Sequence, residues 1–143
     1  MALPIPEGAQ KLIKWKSEGK PGCILGCKDD CSVHVRFSKV EVTSNVEFKF
    51  DNQSITFKQT GFYRVFIRYQ IDAHGRIEIR ITEPNGGIHI EEKKLSKKDR
   101  VLVFDRTILA CSKLEVLLTD LKKCDKIDCI YIKGTIALLP PVV

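Results

Sequence analysis

The side chains of this chain that could do chemistry are its cysteines and histidines, and their spacing narrows what that chemistry can be. Six cysteines stand among 143 residues: Cys23, Cys27, Cys31, Cys111, Cys124 and Cys129. The first three recur at every fourth position in a stretch rich in Gly, Lys and Asp. That spacing is wrong for the paired Cys-x-x-Cys knuckles of a zinc site. Disulfides suit them better, because an even count of cysteines fits an oxidising compartment, where bridges pin long loops. The simplest arrangement joins Cys124 to Cys129, pairs two of the three N-terminal cysteines, and leaves the third to Cys111 or unpaired. Six cysteines admit many connectivities, and the spacing does not choose among them. His34, His74 and His89 have no Ser, Cys or Glu at a spacing that builds a known nucleophile or metal site, so surface or packing roles are expected. Asn85-Gly86-Gly87 lacks the following helix and lysine of a phosphate loop. No catalytic residue, metal or cofactor is expected. Asn52-Gln53-Ser54 is a glycosylation sequon at a turn, where an asparagine is exposed.

The elements that must position these residues are strands. After Gly61, Tyr63, Val65, Ile67, Tyr69 and Ile71 alternate with Phe62, Arg64, Phe66, Arg68 and Gln70, a period-two pattern with one wholly apolar face. Before it, Ile55 and Phe57 alternate with Ser54, Thr56 and Lys58, and Lys58-Gln59-Thr60-Gly61 reads as the reversal of a hairpin spanning 53–71. Similar alternation marks 10–16, with Ile13 and Trp15 inward, 32–37, 40–50 and 76–82. It continues through 88–95, 101–109, 113–120 and 129–139. Asp72-Ala73-His74-Gly75 and Glu83-Pro84-Asn85-Gly86-Gly87 are turns between them. About ten short strands with turn signals at this spacing argue for an all-β sandwich or barrel. Residues 1–9 read as a leader or tether and 10–143 as one domain, long enough to bury a core without staples.

Lys plus Arg number 24 against 18 acidic residues, a net charge of +6 that is spread along the chain. Beyond Lys93-Lys94 and Lys97-Lys98 no basic cluster stands out, so a solvated basic surface is expected ahead of a heparan-like polyanion site, and no nucleic-acid partner. No apolar run is long enough to cross a membrane as a helix, and residues 1–6 do not read as a signal peptide. Cysteine-rich and without such a leader, the chain reads as a trimmed ectodomain.

The sequence resembles the tumour necrosis factor (TNF) ligand superfamily. Asp51-Asn52-Gln53-Ser54-Ile55 followed by Gly61-Phe62-Tyr63-Arg64-Val65-Phe66 is similar to that family's hairpin, in which a glycine, a hydrophobe and a tyrosine open the long central strand. Tyr131-Ile132-Lys133-Gly134-Thr135-Ile136-Ala137-Leu138 is similar to its closing strand. Short loops and the pattern over 100–119 resemble its compact, divergent costimulatory members, such as the ligand of the glucocorticoid-induced receptor. The resemblance implies a jelly-roll sandwich of antiparallel strands that self-associates, as a trimer with a dimer as runner-up. It also implies binding of a cysteine-rich receptor of the TNF-receptor family between protomers. The oligomer face would carry Phe62, Arg64, Phe66, Arg68, Ile132 and Ile136, with the two arginines needing acidic or solvent partners. Receptor contacts would come from loops at protomer edges: Lys20 and Lys28, Asp72 and His74, Pro84, Asn85 and Ile88, and Lys122 and Lys126. The expected setting is extracellular, secreted or as the ectodomain of a type II membrane protein whose anchor lies outside this sequence. Two alternatives share the strand logic: a globular head of the complement C1q type, and a carbohydrate-binding or hydrolytic jelly roll, which would need paired carboxylates or aromatic platforms.

Overall fold

The computed structural model describes residues 10–19, 31–42, 48–51, 53–121 and 130–140. The regular elements among them are all strands: β1 (Gln10–Gly19), β2 (Cys31–His34), β3 (Ser38–Val42), β4 (Phe48–Asp51), β5 (Ser54–Phe57), β6 (Gly61–Ile71), β7 (Arg76–Thr82), β8 (Ile88–Lys94), β9 (Arg100–Ile108), β10 (Lys113–Leu121) and β11 (Ile130–Leu138). They pair antiparallel in two sheets. One runs β3-β1-β11-β6-β9 and the other β4-β5-β10-β7-β8, with β2 beside the far half of β10, beyond the end of β5. The two sheets form a jelly-roll sandwich, as the strand spacing predicts.

Only two pairs of consecutive strands are hairpins, β4–β5 and β7–β8; every other described connection passes between the sheets. This corrects the expected hairpin around Gly61. β5 pairs with β4 and β10, whereas β6 pairs with β11 and β9 in the opposite sheet. Both strands bury an apolar face in one interior, and alternation reports that face without reporting which strand lies alongside. Side chains hold the crossover: the Tyr63 hydroxyl donates to the Gln59 carbonyl at 2.6 Å, and the Phe57 and Tyr63 rings meet edge-on at 5.0 Å. The alternation over 40–50 is likewise divided, into β3 at the rim of one sheet and β4 at the rim of the other.

Tyr63, Val65, Ile67, Tyr69 and Ile71 are fully buried, as their parity requires, and they face Ile77, Ile79 and Ile81 of β7 and Leu114, Val116 and Leu118 of β10. Each such side chain contributes roughly 1.5–3 kcal/mol through burial. Ile132 and Ile136, expected on the oligomer face, belong to this core at 0% exposure. Their register explains it. Ile132 opposes Tyr69 and Ile136 opposes Val65, and directly opposed residues of antiparallel strands point to the same side of the sheet.

Gly134 shows why a glycine interrupts β11. It lies between Ile67 and Trp15 across the sheet, and a Cβ there would stand 2.0 Å from the Trp15 ring. The indole therefore lies directly on the glycine backbone and reaches Phe37, whose ring it meets edge-on at 5.1 Å. Trp15 and Ile13 face inward, as alternation predicts, with the indole Nε1 buried and lacking a hydrogen-bond partner.

Candidate functional site

The outer face of the five-stranded sheet carries the arrangement best suited to a function. Register assembles it from strands distant in sequence. Phe62, Arg64, Phe66 and Arg68 of β6 stand opposite Thr107, Asp105, Val103 and Val101 of β9 on one side. On the other side, Phe66 and Arg68 oppose Thr135 and Lys133 of β11, which in turn oppose Lys14 and Lys16 of β1. Phe62 is 45% exposed, Phe66, Val101 and Val103 are half-buried, and Tyr131 sits half-buried with the Lys133 ammonium 5.7 Å from its ring centre.

Both arginines of this face find acids within the chain. Arg64 forms a two-pronged pair with Asp105, Nε to Oδ1 at 2.6 Å and Nη2 to Oδ2 at 2.7 Å. Arg68 grips Asp99 in the same way, its Nε 3.0 and 2.8 Å from the two carboxylate oxygens and its Nη2 also bonded to Oδ2. Hydrogen bonding to Asp105 and Asp99 raises the affinity of each guanidinium for its proton. The bond from Arg68 holds the Asp99 carboxyl below the usual carboxylate range. Planar forks matched to carboxylates are the strongest form of such pairs. The β6–β9 half of the face is thus apolar with its charges internally cancelled, and the β11–β1 half carries Lys14, Lys16 and Lys133. The two aspartates and the two valines escaped the sequence reading. Alternation along 101–105 put Val101, Val103 and Asp105 on one parity, and only the antiparallel partner shows which side that is.

The residues expected to contact a receptor do not converge. Asp72 and His74 are exposed at the end of the sandwich where β6 passes to β7. Pro84, Asn85 and Ile88 are exposed at the opposite end, the length of β7 away, about 23 Å for a strand of that size. Gly86 takes the positive φ that this turn requires, 91°. Lys20, Lys28, Lys122 and Lys126 lie outside the described residues, as do Asn52 of the sequon and Cys23, Cys27, Cys124 and Cys129. Of Cys31 only the backbone in β2 is described. Cys111 is a correction to the disulfide expectation: it is a free, exposed thiol in the turn before β10 at φ 71°. The backbone of that turn is spent on Phe57, which accepts from the Cys111 N–H at 2.7 Å and donates to the Ser112 carbonyl at 2.9 Å.

The histidines also have structural partners. His34 Nε2 lies 2.9 Å from Glu115 on the outer face of the six-stranded sheet, and His89 Nε2 lies 2.9 Å from Glu91 beside the Phe104 ring. Among the described residues no cluster of His, Cys, Asp and Glu is placed to hold a metal ion.

No family model matches this chain, and no curated protein matches its sequence. Solved structures match its fold. The globular domain of zebrafish complement 1qA superposes with a TM-score of 0.60 at 12% identity, covering 93% of this chain and 100% of that one. The PRD1 vertex protein P5 gives 0.56 at 12% identity over 93% and 99%. Murine APRIL, a TNF-family ligand, gives 0.55 at 12% identity over 87% and 99%. At these identities the likeness establishes the jelly-roll fold alone. The resemblance to TNF ligands read from the sequence is therefore met at the level of fold.

Proposed function

We propose that this chain is a non-enzymatic extracellular ligand that assembles as a homotrimer through the outer face of the five-stranded sheet and acts by clustering a cysteine-rich receptor. The observation that carries this reading is the pairing of Arg64 with Asp105 and Arg68 with Asp99 on a face that also presents Phe62, Phe66, Val101 and Val103. A single unpaired guanidinium taken out of water by a second protomer would cost several kcal/mol, whereas a fork already closed on its carboxylate brings most of its compensation with it. An exposed aromatic on a long strand gains from being covered, and the sandwich interior is already filled by the opposite parity. Receptor contacts then fall to the loops at the rims of the protomers, where a rigid scaffold presents exposed segments. Attraction between the net positive charge and an acidic receptor would speed association and fade with salt.

The reading is tested by screening the intact chain against the cysteine-rich receptor ectodomains of its source organism. Saturable binding to one of them is expected. Fold similarity at 12% identity does not separate this reading from a recognition head of the complement type, and the screen does. Binding to no ectodomain, together with binding to a complement component, would replace the ligand reading with that one.

A further inference from the structure

Where β6 passes to β7 and β8 passes to β9, one end of the sandwich gathers cations that the functions above do not use. Lys93 and Lys94 close β8, Lys97 and Lys98 sit in the connection, Arg100 opens β9, and all five are exposed. Few carboxylates answer them. Of the described acids at this end, Asp99 is gripped by Arg68, and Glu92 and Asp120 lie 3.0 and 3.7 Å from Arg76, which leaves Asp72. Lys94, Lys97, Lys98 and Arg100 form no ion pair with a described residue. The Lys93 ammonium donates to the Val101 carbonyl at 2.9 Å, a bond that retains its charge.

The backbone beneath these side chains is fixed. The Tyr69 hydroxyl donates to the Lys94 carbonyl at 2.7 Å, Leu95 N–H to Gly75 at 2.9 Å, and Ile71 N–H to Ser96 at 2.8 Å. Gln70 Nε2 donates to the Lys97 carbonyl at 2.8 Å, and Lys98 N–H donates to Ser96 Oγ at 3.0 Å. Leu95 packs against the core and Lys94, Lys97 and Lys98 stand exposed around it, whereas Lys93, opposite the inward-facing Ile77, turns its ammonium to the Val101 carbonyl. A connection pinned this way presents its charges without having to be ordered by a ligand.

We propose that Lys93, Lys94, Lys97, Lys98 and Arg100 form a binding site for a linear sulfated polysaccharide. Lys94 and Lys97 are separated by Leu95 and Ser96, at most about 10 Å between their Cα atoms, and the chain bends at Lys97-Lys98 before Arg100, so several cations stand close together for a polymer with repeated anionic groups. Four of the five cations are lysines, compact point charges that answer sulfate groups without requiring one fixed orientation. The surroundings disfavour other polyanions. Single-stranded nucleic acid stacks successive bases on several aromatic platforms, but among the described residues Tyr69 is buried with its hydroxyl on Lys94, which leaves the half-buried Tyr131, opposite Gln70, as a single ring near this end. A membrane surface needs apolar side chains to insert, but among the described residues the exposed large hydrophobics Val42, Phe62, Ile88, Ile90 and Leu109 all lie outside this connection.

The test measures binding of the intact chain to an immobilised heparin oligosaccharide across a range of salt. The double variant Lys97→Ala/Lys98→Ala is compared with Lys58→Ala/Lys113→Ala, which removes the same charge at the opposite end of the sandwich. Arg100→Ala serves as a second probe, and melting temperatures verify that each variant is folded. The loop variant is expected to bind about tenfold more weakly with a shallower salt dependence, and the distant variant to stay within about twofold of the parent. Three results would overturn the proposal: no binding at physiological salt, equal weakening in both double variants, or tighter binding of single-stranded RNA or phosphatidylserine vesicles through the same lysines. Loss of receptor binding or of the trimer would leave it intact, since it rests on neither.

Discussion

Asp99 is the residue whose behaviour reports most directly on the outer face. Its carboxylate accepts from Arg68, and that bond, reinforced by the nearby positive charge, lowers its proton affinity in the folded state below the ordinary 3.8. A depressed folded value means that the pair contributes stability fully above the ordinary value and loses it as pH falls through the lowered one. Both groups are exposed, so the contribution is small and weakens with salt. In Arg68→Ala the Asp99 carboxyl should titrate at its ordinary value, as followed by NMR of the side chain; an unchanged midpoint would show that Arg68 does not set it. The need for acids beside Arg64 and Arg68 was legible in the sequence, because two arginines alternate with Phe62 and Phe66. Their identity was not. Asp99 and Asp105 lie more than thirty residues away along the chain and reach β6 only through the β6–β9 register.

At the scale of elements, β11 is held in register by what it lacks as much as by what it buries. The Trp15 indole occupies the space a side chain at 134 would take. Gly134→Ala should therefore destabilise the fold by about 1–3 kcal/mol through overpacking, read as a lower urea midpoint. Adding Trp15→Phe, which shortens the ring, should recover part of that loss even though it removes buried area. An additive loss in the double variant would mean that the two positions do not meet. The glycine within an apolar strand and the inward parity of Trp15 were both visible in the sequence, and glycine inside a strand marks close backbone approach. Pairing was not visible. Period-two patterns set the faces of β5, β6 and β11, but they left β5 and β6 as apparent hairpin partners. They also left Ile132 and Ile136 assigned to the wrong side, because faces are local and partners are not.

At the scale of the whole molecule, the two sheets leave unequal outer surfaces. On the six-stranded sheet, Glu115 meets His34 and Glu78, only 7% exposed, lies 2.8 Å from Arg80 without a hydrogen bond to its Oε2, and the exposed apolar side chains, Ile88 and Ile90, stand on the rim strand β8. On the five-stranded sheet, aromatic and aliphatic side chains stand between closed ion pairs, ready for a second surface. The fold class could be read from strand spacing, and the superpositions on complement 1qA, P5 and APRIL agree with it. The proposed assembly would depend on how β1, β6, β9 and β11 lie side by side, which no single stretch of sequence contains. Light scattering of the intact chain over micromolar concentrations, run beside Phe62→Asp, measures that assembly. Three times the chain mass is expected for the parent and a folded monomer for the variant, in which the new carboxylate meets the partner surface. A parent that stays monomeric at every concentration, or a Phe62→Asp chain that stays trimeric, would contradict assembly through this face.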